Sequence, residues 1–319
     1  MENPTYSSFH NKDLHTIARV AWLYYVEALN QQEIGNQLRL SRITISRMLQ
    51  RAREEGIVQI KINTPQAVFF ENERRLIQSY GLRDAIVTMD AEPGESLYRT
   101  LAEAAASWLL SHIWKGAKIG LGMGRTISYI PGAFKPNHQL ECTFYEVTGG
   151  SALSSSMVTQ YNIVSKMAEL AGGRAEYIYA PIIVSSREAC QALMKEAPVR
   201  EALEKARHCD ILIQGIGPVD TSAILHIYGF ICDHDIEQMQ KAGGVGDLLG
   251  RFFDEEGQPV ENPIEDRIIG LNLEDISQIP WSVVVAGGSE KVNVLRAALN
   301  KGFINVLITD HHTAQLLLI

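Results

Sequence analysis

The chain has 319 residues, of which 46% are hydrophobic and 21% are charged, and its formal net charge is −8. This length and composition are typical of a globular protein with about two domains, and exclude a disordered or fibrous chain. The negative charge excludes a protein that coats nucleic acid along its whole surface. The charge is uneven, however: residues 1–63 contain eight Lys and Arg against six Asp and Glu, giving +2, so residues 64–319 carry −10. This asymmetry favours a small DNA-binding module joined to an acidic body.

The cysteine spacing and the apolar runs predict a protein of the cytoplasm without a bound metal or cofactor. No Cys-x-x-Cys or Cys/His spacing occurs, so neither a zinc site nor a disulfide framework is indicated. The N-terminal segment is polar, which does not fit a secretory signal. The apolar runs fall well short of the roughly 20 residues that cross a bilayer.

The first 60 residues carry a pattern of short helices. We expect a loose tail over residues 1–12 and a first helix from residue 14 to about residue 29, capped by Asp13. Asn30 opens a second helix, QQEIGNQL, in which Gly35 permits a close helix approach. In the turn that follows, Arg39 stands where glycine is usual, which predicts a strained positive φ.

Residues 41–53, SRITISRMLQRAR, have the features of a recognition helix. Ser41 is placed to cap the first turn, and Gly56 suits the end of the helix. One face is apolar, and the other carries side chains of the kind that bind base edges and phosphates. The predicted DNA-binding residues are Ser41, Arg42, Thr44, Ser46, Arg47, Gln50, Arg51 and Arg53. We assign base contacts to Arg42, Thr44, Ser46 and Arg47, and phosphate contacts to Arg51, Arg53 and Lys61.

The next run, IVQIKIN (57–63), alternates apolar and polar residues, which predicts a strand. A strand beside a recognition helix is typical of a winged helix-turn-helix domain, and we place that domain at residues 1–63. The alternative for residues 13–63 is a plain helical hairpin that serves dimerisation.

Thr64-Pro65 marks a boundary, because proline and the residue before it resist helix formation. Beyond it, apolar strands alternate with helices, which predicts an α/β, Rossmann-like, doubly wound and mainly parallel sheet over residues 64–319. Helices are predicted at 66–80, 97–113 and 157–170, and strand-like runs at 85–89, 117–124, 144–147, 177–184, 210–217, 282–288 and 304–310.

Several of these strands end in glycines, in GLGMGRT, TGG, QGIG and VAGG. Ligands of open α/β sheets bind beyond the carboxyl ends of the strands, and a following helix N-terminus favours an anion. The pattern therefore predicts a ligand crevice, although glycine also serves tight turns. Neither the dinucleotide fingerprint nor a Walker lysine is present.

Two further residues have side chains suited to binding a ligand. Asp247, in AGGVGDLLGRFFDEEG, can accept hydrogen bonds from sugar hydroxyls. Lys291 stands near the start of the helix after VAGG, where its charge opposes the helix dipole unless an anion is bound. The alternative is a structural turn aspartate and a solvated lysine.

The chain resembles the SorC family of bacterial sugar-responsive transcriptional regulators over nearly its whole length, including the motifs just described. The most specific matches are GGVGDLLGRFFDEEG and VAGGSEK. The resemblance implies a body related to ribose-5-phosphate isomerase, glucosamine-6-phosphate deaminase and CoA-transferases that binds a sugar or phosphosugar instead of catalysing. By motif position it implies effector contacts from Gly122, Met123, Gly124, Arg125, Thr126, Thr148, Gly149, Gly150, Asp247 and Lys291.

The sequence thus predicts a regulator of carbohydrate-metabolism genes that reads operator DNA as a homodimer or homotetramer under the control of a sugar or sugar-phosphate effector. Two alternatives remain open: a sugar-phosphate-processing enzyme with an accessory DNA-binding head, and a purely structural dimerisation protein.

Overall fold

A computed structural model describes residues 4–60, 64, 67–91, 96–150 and 160–319, except for the side chains of residues 4–12 and 160. The chain divides into two structural units, Met1–Pro65 and Gln66–Ile319. Lys61 and the C-terminal half of the predicted wing strand, residues 61–63, lie outside the described residues, as do residues 157–159 of the predicted helix 157–170.

The described part of the first unit consists of the helices α1 (Pro4–Tyr25), α2 (Gln31–Leu38) and α3 (Arg42–Glu54). Their apolar stripes meet in one small core, which includes Ile17, Ile34 and Ile45, all at most 1% exposed. The helix-turn-helix pattern is therefore present at the predicted residues.

Three expectations for the first unit are wrong. Residues 4–12 belong to α1 and do not form a loose tail. Asp13 does not cap a helix, because α1 begins at Pro4, where proline suits a first helical turn, and passes through residue 13. Residues 57–60 do not form a strand. Ile57 and Val58 instead pack against the helical core, and the Val58 N–H is bonded to the Ala52 carbonyl. A strand needs a partner for its backbone groups, and no other strand occurs in the described part of this unit.

A seven-stranded sheet of parallel pairs forms the centre of the second unit, as predicted, in the order β1-β10-β9-β5-β2-β3-β4. A small antiparallel sheet, β6-β7-β8, accompanies it. The strands are β1 (Asp84–Thr88), β2 (Lys118–Leu121), β3 (Thr143–Glu146), β4 (Arg174–Glu176), β5 (Ile211–Gln214), β6 (Gly217–Pro218), β7 (Gly246–Leu248), β8 (Arg251–Phe253), β9 (Trp281–Val285) and β10 (Val306–Asp310).

The helices of this unit cover both faces of the large sheet. They are α4 (Ala67–Tyr80), α5 (Leu97–His112), α6 (Arg125–Ala133), α7 (Gln160–Ala171), α8 (Arg187–Lys195), α9 (Ala197–Arg207), α10 (Ile224–Ile227), α11 (Asp233–Lys241), α12 (Leu273–Gln278), α13 (Val292–Lys301) and α14 (His311–Leu317), with 3-10 turns at Glu265–Arg267 and Ser289–Lys291. One face packs against α5, α6 and α7, and the other against α4, α12, α13 and α14. The central strands alternate their apolar side chains between these two cores, which is why their sequences are nearly all apolar, whereas the edge strand β4 contains Arg174 and Glu176.

The predicted strand at 177–184 is wrong. Only isolated bridges occur there, between Gly150 and Pro181 and between Ile183 and Ile268. Pro181 has no N–H to donate, so it interrupts a ladder. Among the described residues, no helix is both long enough and apolar enough to span a membrane.

Candidate functional site

The turn between α2 and α3 is built from residues that fit it locally. Asn30 caps α2 in a capping box with Glu33. A Cβ at Gly35 would lie 2.7 Å from the Leu40 carbonyl oxygen, so the turn requires glycine at that point. Arg39 has φ 57°, the left-handed conformation that the sequence predicted. Ser41 then caps α3, because its hydroxyl accepts the Thr44 N–H at 3.1 Å.

The predicted DNA-binding side chains on the outer face of α3 fall into two groups. Some are engaged within the unit: Thr44 Oγ1 lies 2.8 Å from Ser41 Oγ, Gln50 donates to Glu54, and Arg51 binds Glu55. The others are Arg42, Ser46, Arg47 and Arg53; all four are exposed, as are Ser41 and Gln50.

Sequence reasoning missed Ile43, which is 67% exposed. It shares a helix face with Ser46, Arg47 and Gln50 at offsets of three, four and seven. An apolar side chain among polar ones on such a face can contact a thymine methyl group. Its position off the buried stripe of α3 was the signal in the sequence.

In the second unit, a cleft of about 730 Å³, counting the solvent at its mouth, lies beyond the carboxyl ends of β2, β5 and β9. Six of the predicted effector residues line it, namely Met123, Gly124, Arg125, Thr126, Asp247 and Lys291. The residues that sequence reasoning missed include Tyr98, Ser222, Leu249 and Glu290. Leu249 and Glu290 lie inside the two motifs already singled out, two residues after Asp247 and one before Lys291, whereas Tyr98 and Ser222 belong to segments that carried no such motif.

The other four predicted effector residues do not line this cleft. Gly122 stands behind its wall, where a Cβ would lie 2.9 Å from atoms of Gln214 and Leu249. The Gly149 N–H is bonded to the Ile269 carbonyl, and Gly150 is bridged to Pro181. Thr148 is fully buried and bridged to Gly270. Their role as effector contacts therefore remains a prediction.

The N-terminus of α6 opens onto the cleft. Gly124 precedes the helix at φ 155°, and no side chain caps the first turn. Its free N–H groups and the helix dipole favour an anion. The Arg125 guanidinium lies over the Tyr98 ring, 4.9 Å from its centroid, and its Nη2 is 3.5 Å from the Ser222 carbonyl. These contacts hold a cation beside the uncapped turn.

The glycine turn of VAGG has a structural role. The Gly288 N–H donates to Asp310 Oδ2 at 3.1 Å and to Thr313 Oγ1 at 2.8 Å. A Cβ at Gly287 would collide with Asp310. This turn therefore positions Lys291, which lies at the N-cap of α13, instead of offering its own Gly288 N–H to a ligand.

Asp247 and Lys291 are both perturbed. Burial raises the pKa of Asp247 to about 6, against the hydrogen bond from the Gly250 N–H and the charge of Lys291. Burial lowers the pKa of Lys291, and Arg125 acts in the same direction, whereas the carboxylates of Glu290, Asp247 and Asp310 oppose the shift. An anion in the cleft would favour the charged form of Lys291. No cluster that could hold a metal ion occurs in the described part of the chain.

The comparisons with known proteins agree with this architecture. Residues 65–319 match the family model described as "Putative sugar-binding domain". The chain is 30% identical to the Deoxyribonucleoside regulator of Bacillus subtilis over 93% of this chain and 95% of that one. It is 32% identical to the transcriptional regulator LsrR of Escherichia coli K12, over 95% and 94% of the two chains.

The full-length sorbitol operon regulator SorC of Klebsiella pneumoniae has a similar structure. Its TM-score is 0.74 at 25% identity, with 97% of this chain and all of that chain covered. The chain belongs to the SorC family. This SorC-family protein is a transcriptional regulator with a sugar-binding domain, as the sequence predicted.

Proposed function

We propose that the cleft of this regulator binds a phosphorylated sugar or sugar alcohol, and that its occupancy changes the affinity of α3 for operator DNA. The observation that carries the proposal is the meeting of an uncapped helix N-terminus with Arg125, Lys291 and Asp247 in one cleft. A helix N-terminus and two cations offer more positive potential than a neutral sugar needs, whereas they suit a phosphate.

Each group then has a role. The phosphate lies at the first turn of α6, between Arg125 and Lys291, and Asp247 holds a hydroxyl or carbonyl oxygen of the sugar. Charge-assisted contacts to phosphate contribute about 1.5–3 kcal/mol each, so the phosphate supplies much of the affinity. It also resolves the unfavourable proximity of Lys291 and Arg125.

In the first unit, residues 1–63 read DNA through the exposed face of α3. A DNA-binding domain this small makes few contacts with DNA by itself. We therefore propose that residues 64–319 hold the chain as a homodimer or homotetramer. Two DNA-binding domains of the assembly then read the two half-sites of a pseudo-palindrome. Light scattering at micromolar concentration tests the assembly. A monomer that still binds its operator would contradict it.

One observation favours a second function, in which the cleft processes a sugar phosphate. Asp247 has a raised pKa and Lys291 a lowered one, and two such groups in a cleft are typical of acid–base catalysis. The regulator without catalysis is the proposal that we favour, because it uses both units of the chain.

The discriminating experiment measures binding and turnover in parallel. The full chain is titrated onto a DNA site selected from a random library, with and without a panel of sugar and sugar-alcohol phosphates, while product formation from each is followed by NMR. We expect one phosphate to change the DNA dissociation constant without being consumed. Turnover of that phosphate with no change in DNA affinity would support the enzyme instead.

A further inference from the structure

Gln214, the last residue of β5, is a buried polar side chain without a partner. It is 0% exposed, and within the described structure both amide atoms, Nε2 and Oε1, lack a hydrogen bond. A buried amide without hydrogen-bond partners destabilises the folded state. Such a group in a native protein therefore favours the binding of a molecule that supplies the missing hydrogen bonds. The strand neighbours Leu212 and Val284, from the same core, are apolar.

The side chain of Gln214 lies next to the wall of the cleft. The following residue, Gly215, lines the cleft, and so does Leu249. Gly122 fixes the spacing, since a Cβ on it would lie 2.9 Å both from the Gln214 Cβ and from Leu249 Cδ2. Leu249, which lines the cleft, and the Gln214 side chain therefore lie close to each other beside Gly122.

Leu249 has an unusual backbone. It forms, with Gly250, the two-residue turn of the β7–β8 hairpin, in which Leu248 pairs with Arg251. Leu249 has φ 53° and Gly250 has φ 84°, so both are left-handed. Asn, Asp or Gly is usual at the first position, and leucine is strained there. A strained, buried leucine at the tip of a turn is a candidate for displacement when a ligand enters.

We propose that Gln214 is a specificity-determining residue of the effector site, and that its amide binds adjacent hydroxyls at the end of the sugar away from the phosphate. The inference rests on the proposed function. A vicinal diol matches the amide, because one hydroxyl accepts from Nε2 while its neighbour donates to Oε1. The hydroxyls reach Gln214 when Leu249 moves aside, and the effector is thus a polyol phosphate with an unsubstituted diol.

The test uses the full chain with Gln214→Met, which conserves volume and removes both amide groups. Thr309→Val is the matched control, because Thr309 Oγ1 is likewise buried and unpartnered in the described structure but lies on β10, two strands away from β5 in the sheet. The probes are D-sorbitol 6-phosphate, D-glucose 6-phosphate and D-ribose 5-phosphate, followed by singly deoxygenated analogues of the tightest binder, all in calorimetry.

We expect Gln214→Met to bind the tightest probe at least tenfold more weakly than the parent and to lose the parent's discrimination against one deoxy analogue. Its melting temperature without ligand should stay equal or rise, as should that of Thr309→Val, which should bind all probes normally. If Gln214→Met keeps both the affinity and the discrimination, a fixed buried water satisfies the amide and the inference is wrong. If the parent itself binds no probe, the proposed function fails, and this inference with it.

Discussion

The Asp310 carboxylate accepts the backbone N–H of Gly288 at 3.1 Å, three residues before Lys291. The same carboxylate caps α14, where Oδ1 accepts the Thr313 N–H at 2.9 Å. The turn that positions Lys291 and the start of α14 are therefore held by one side chain. A displacement of that turn on ligand binding would be transmitted to α14.

Helix α14 in turn packs against α4, the first helix after the DNA-reading unit in the chain. Asn72 Nδ2 lies 3.1 Å from His311 Nδ1, and the Tyr80 hydroxyl donates to the Leu317 carbonyl at 2.7 Å. We expect Tyr80→Phe to lower the coupling free energy between effector and DNA by about 0.5–2 kcal/mol. Arg74→Ala is the control, because Arg74 bonds only within α4 in the described structure. DNA affinity measured with and without effector tests this, and unchanged coupling in Tyr80→Phe would contradict it.

The second prediction concerns base reading. Arg47 and Arg53 are both exposed on α3, but Arg47 is assigned to a base and Arg53 to a phosphate. Arg47→Ala should weaken specific binding by about 1–3 kcal/mol and relax sequence choice. Arg53→Ala should weaken binding to all sequences and lower the salt slope. Fluorescence anisotropy on specific and random DNA measures both effects, and identical behaviour of the two variants would refute the assignment.

The third prediction concerns pH. The folded-state pKa of Asp247, about 6, is above the unfolded value of about 3.9. The folded state therefore holds this proton more tightly, and the stability it contributes is present below pH ~4 and lost as the pH rises to ~6. The free energy of unfolding of Asp247→Asn, measured relative to the parent, should therefore increase by up to about 3 kcal/mol as the pH rises from ~4 to ~6. Urea unfolding from pH 4 to 7 measures the difference, with the exposed Asp266→Asn as control. A difference independent of pH would contradict the shift.

The fourth prediction separates structure from ligand binding within the motif GGVGDLLGRFFDEEG. Arg251 is only 11% exposed; it binds Glu265 Oε1 at 2.7 Å and the carbonyls of Glu265, Ile268, Gly270 and Leu271. Lysine cannot reproduce this planar fork. Arg251→Lys should lower the free energy of unfolding by about 2–3 kcal/mol. The matched change Arg187→Lys, in an exposed ion pair with Asp266, should cost far less. Equal melting temperatures for the two variants would rule out this role.

The sequence predicted the parallel sheet well, because strands buried on both faces are marked by nearly continuous apolar runs such as β5 and β10. The sequence did not predict the features that depend on pairing between segments far apart in the chain. The run at 177–184 is as apolar as a strand, yet Pro181 allows only bridges there. The sequence also predicted no strand at 246–253, where the antiparallel hairpin β7–β8 carries Asp247, a correctly predicted residue of the cleft.

The candidate site was likewise predicted only in part, because the sequence shows where a strand ends but not which segment packs against that end. Gly124, Arg125 and Lys291 follow strands by three to six residues, so their position at the carboxyl edge of the sheet could be inferred. The glycines at 149 and 150 also follow a strand, but they pack against the backbone of residues 180–181. A glycine at a strand end permits either a ligand or another backbone segment to approach, and the pattern alone does not distinguish these cases.

The central claim is that a phosphate held by Lys291 controls DNA binding. The most direct measurement is the DNA dissociation constant of the parent and of Lys291→Ala, each with and without the sugar phosphate that acts on the parent. The account predicts that Lys291→Ala binds DNA nearly as the parent does and needs at least tenfold more effector for the same response, since one charge-assisted contact is worth about 1.5–3 kcal/mol. A Lys291→Ala variant that responds at the parent's effector concentration, or a parent that responds equally well to the unphosphorylated sugar, would contradict it.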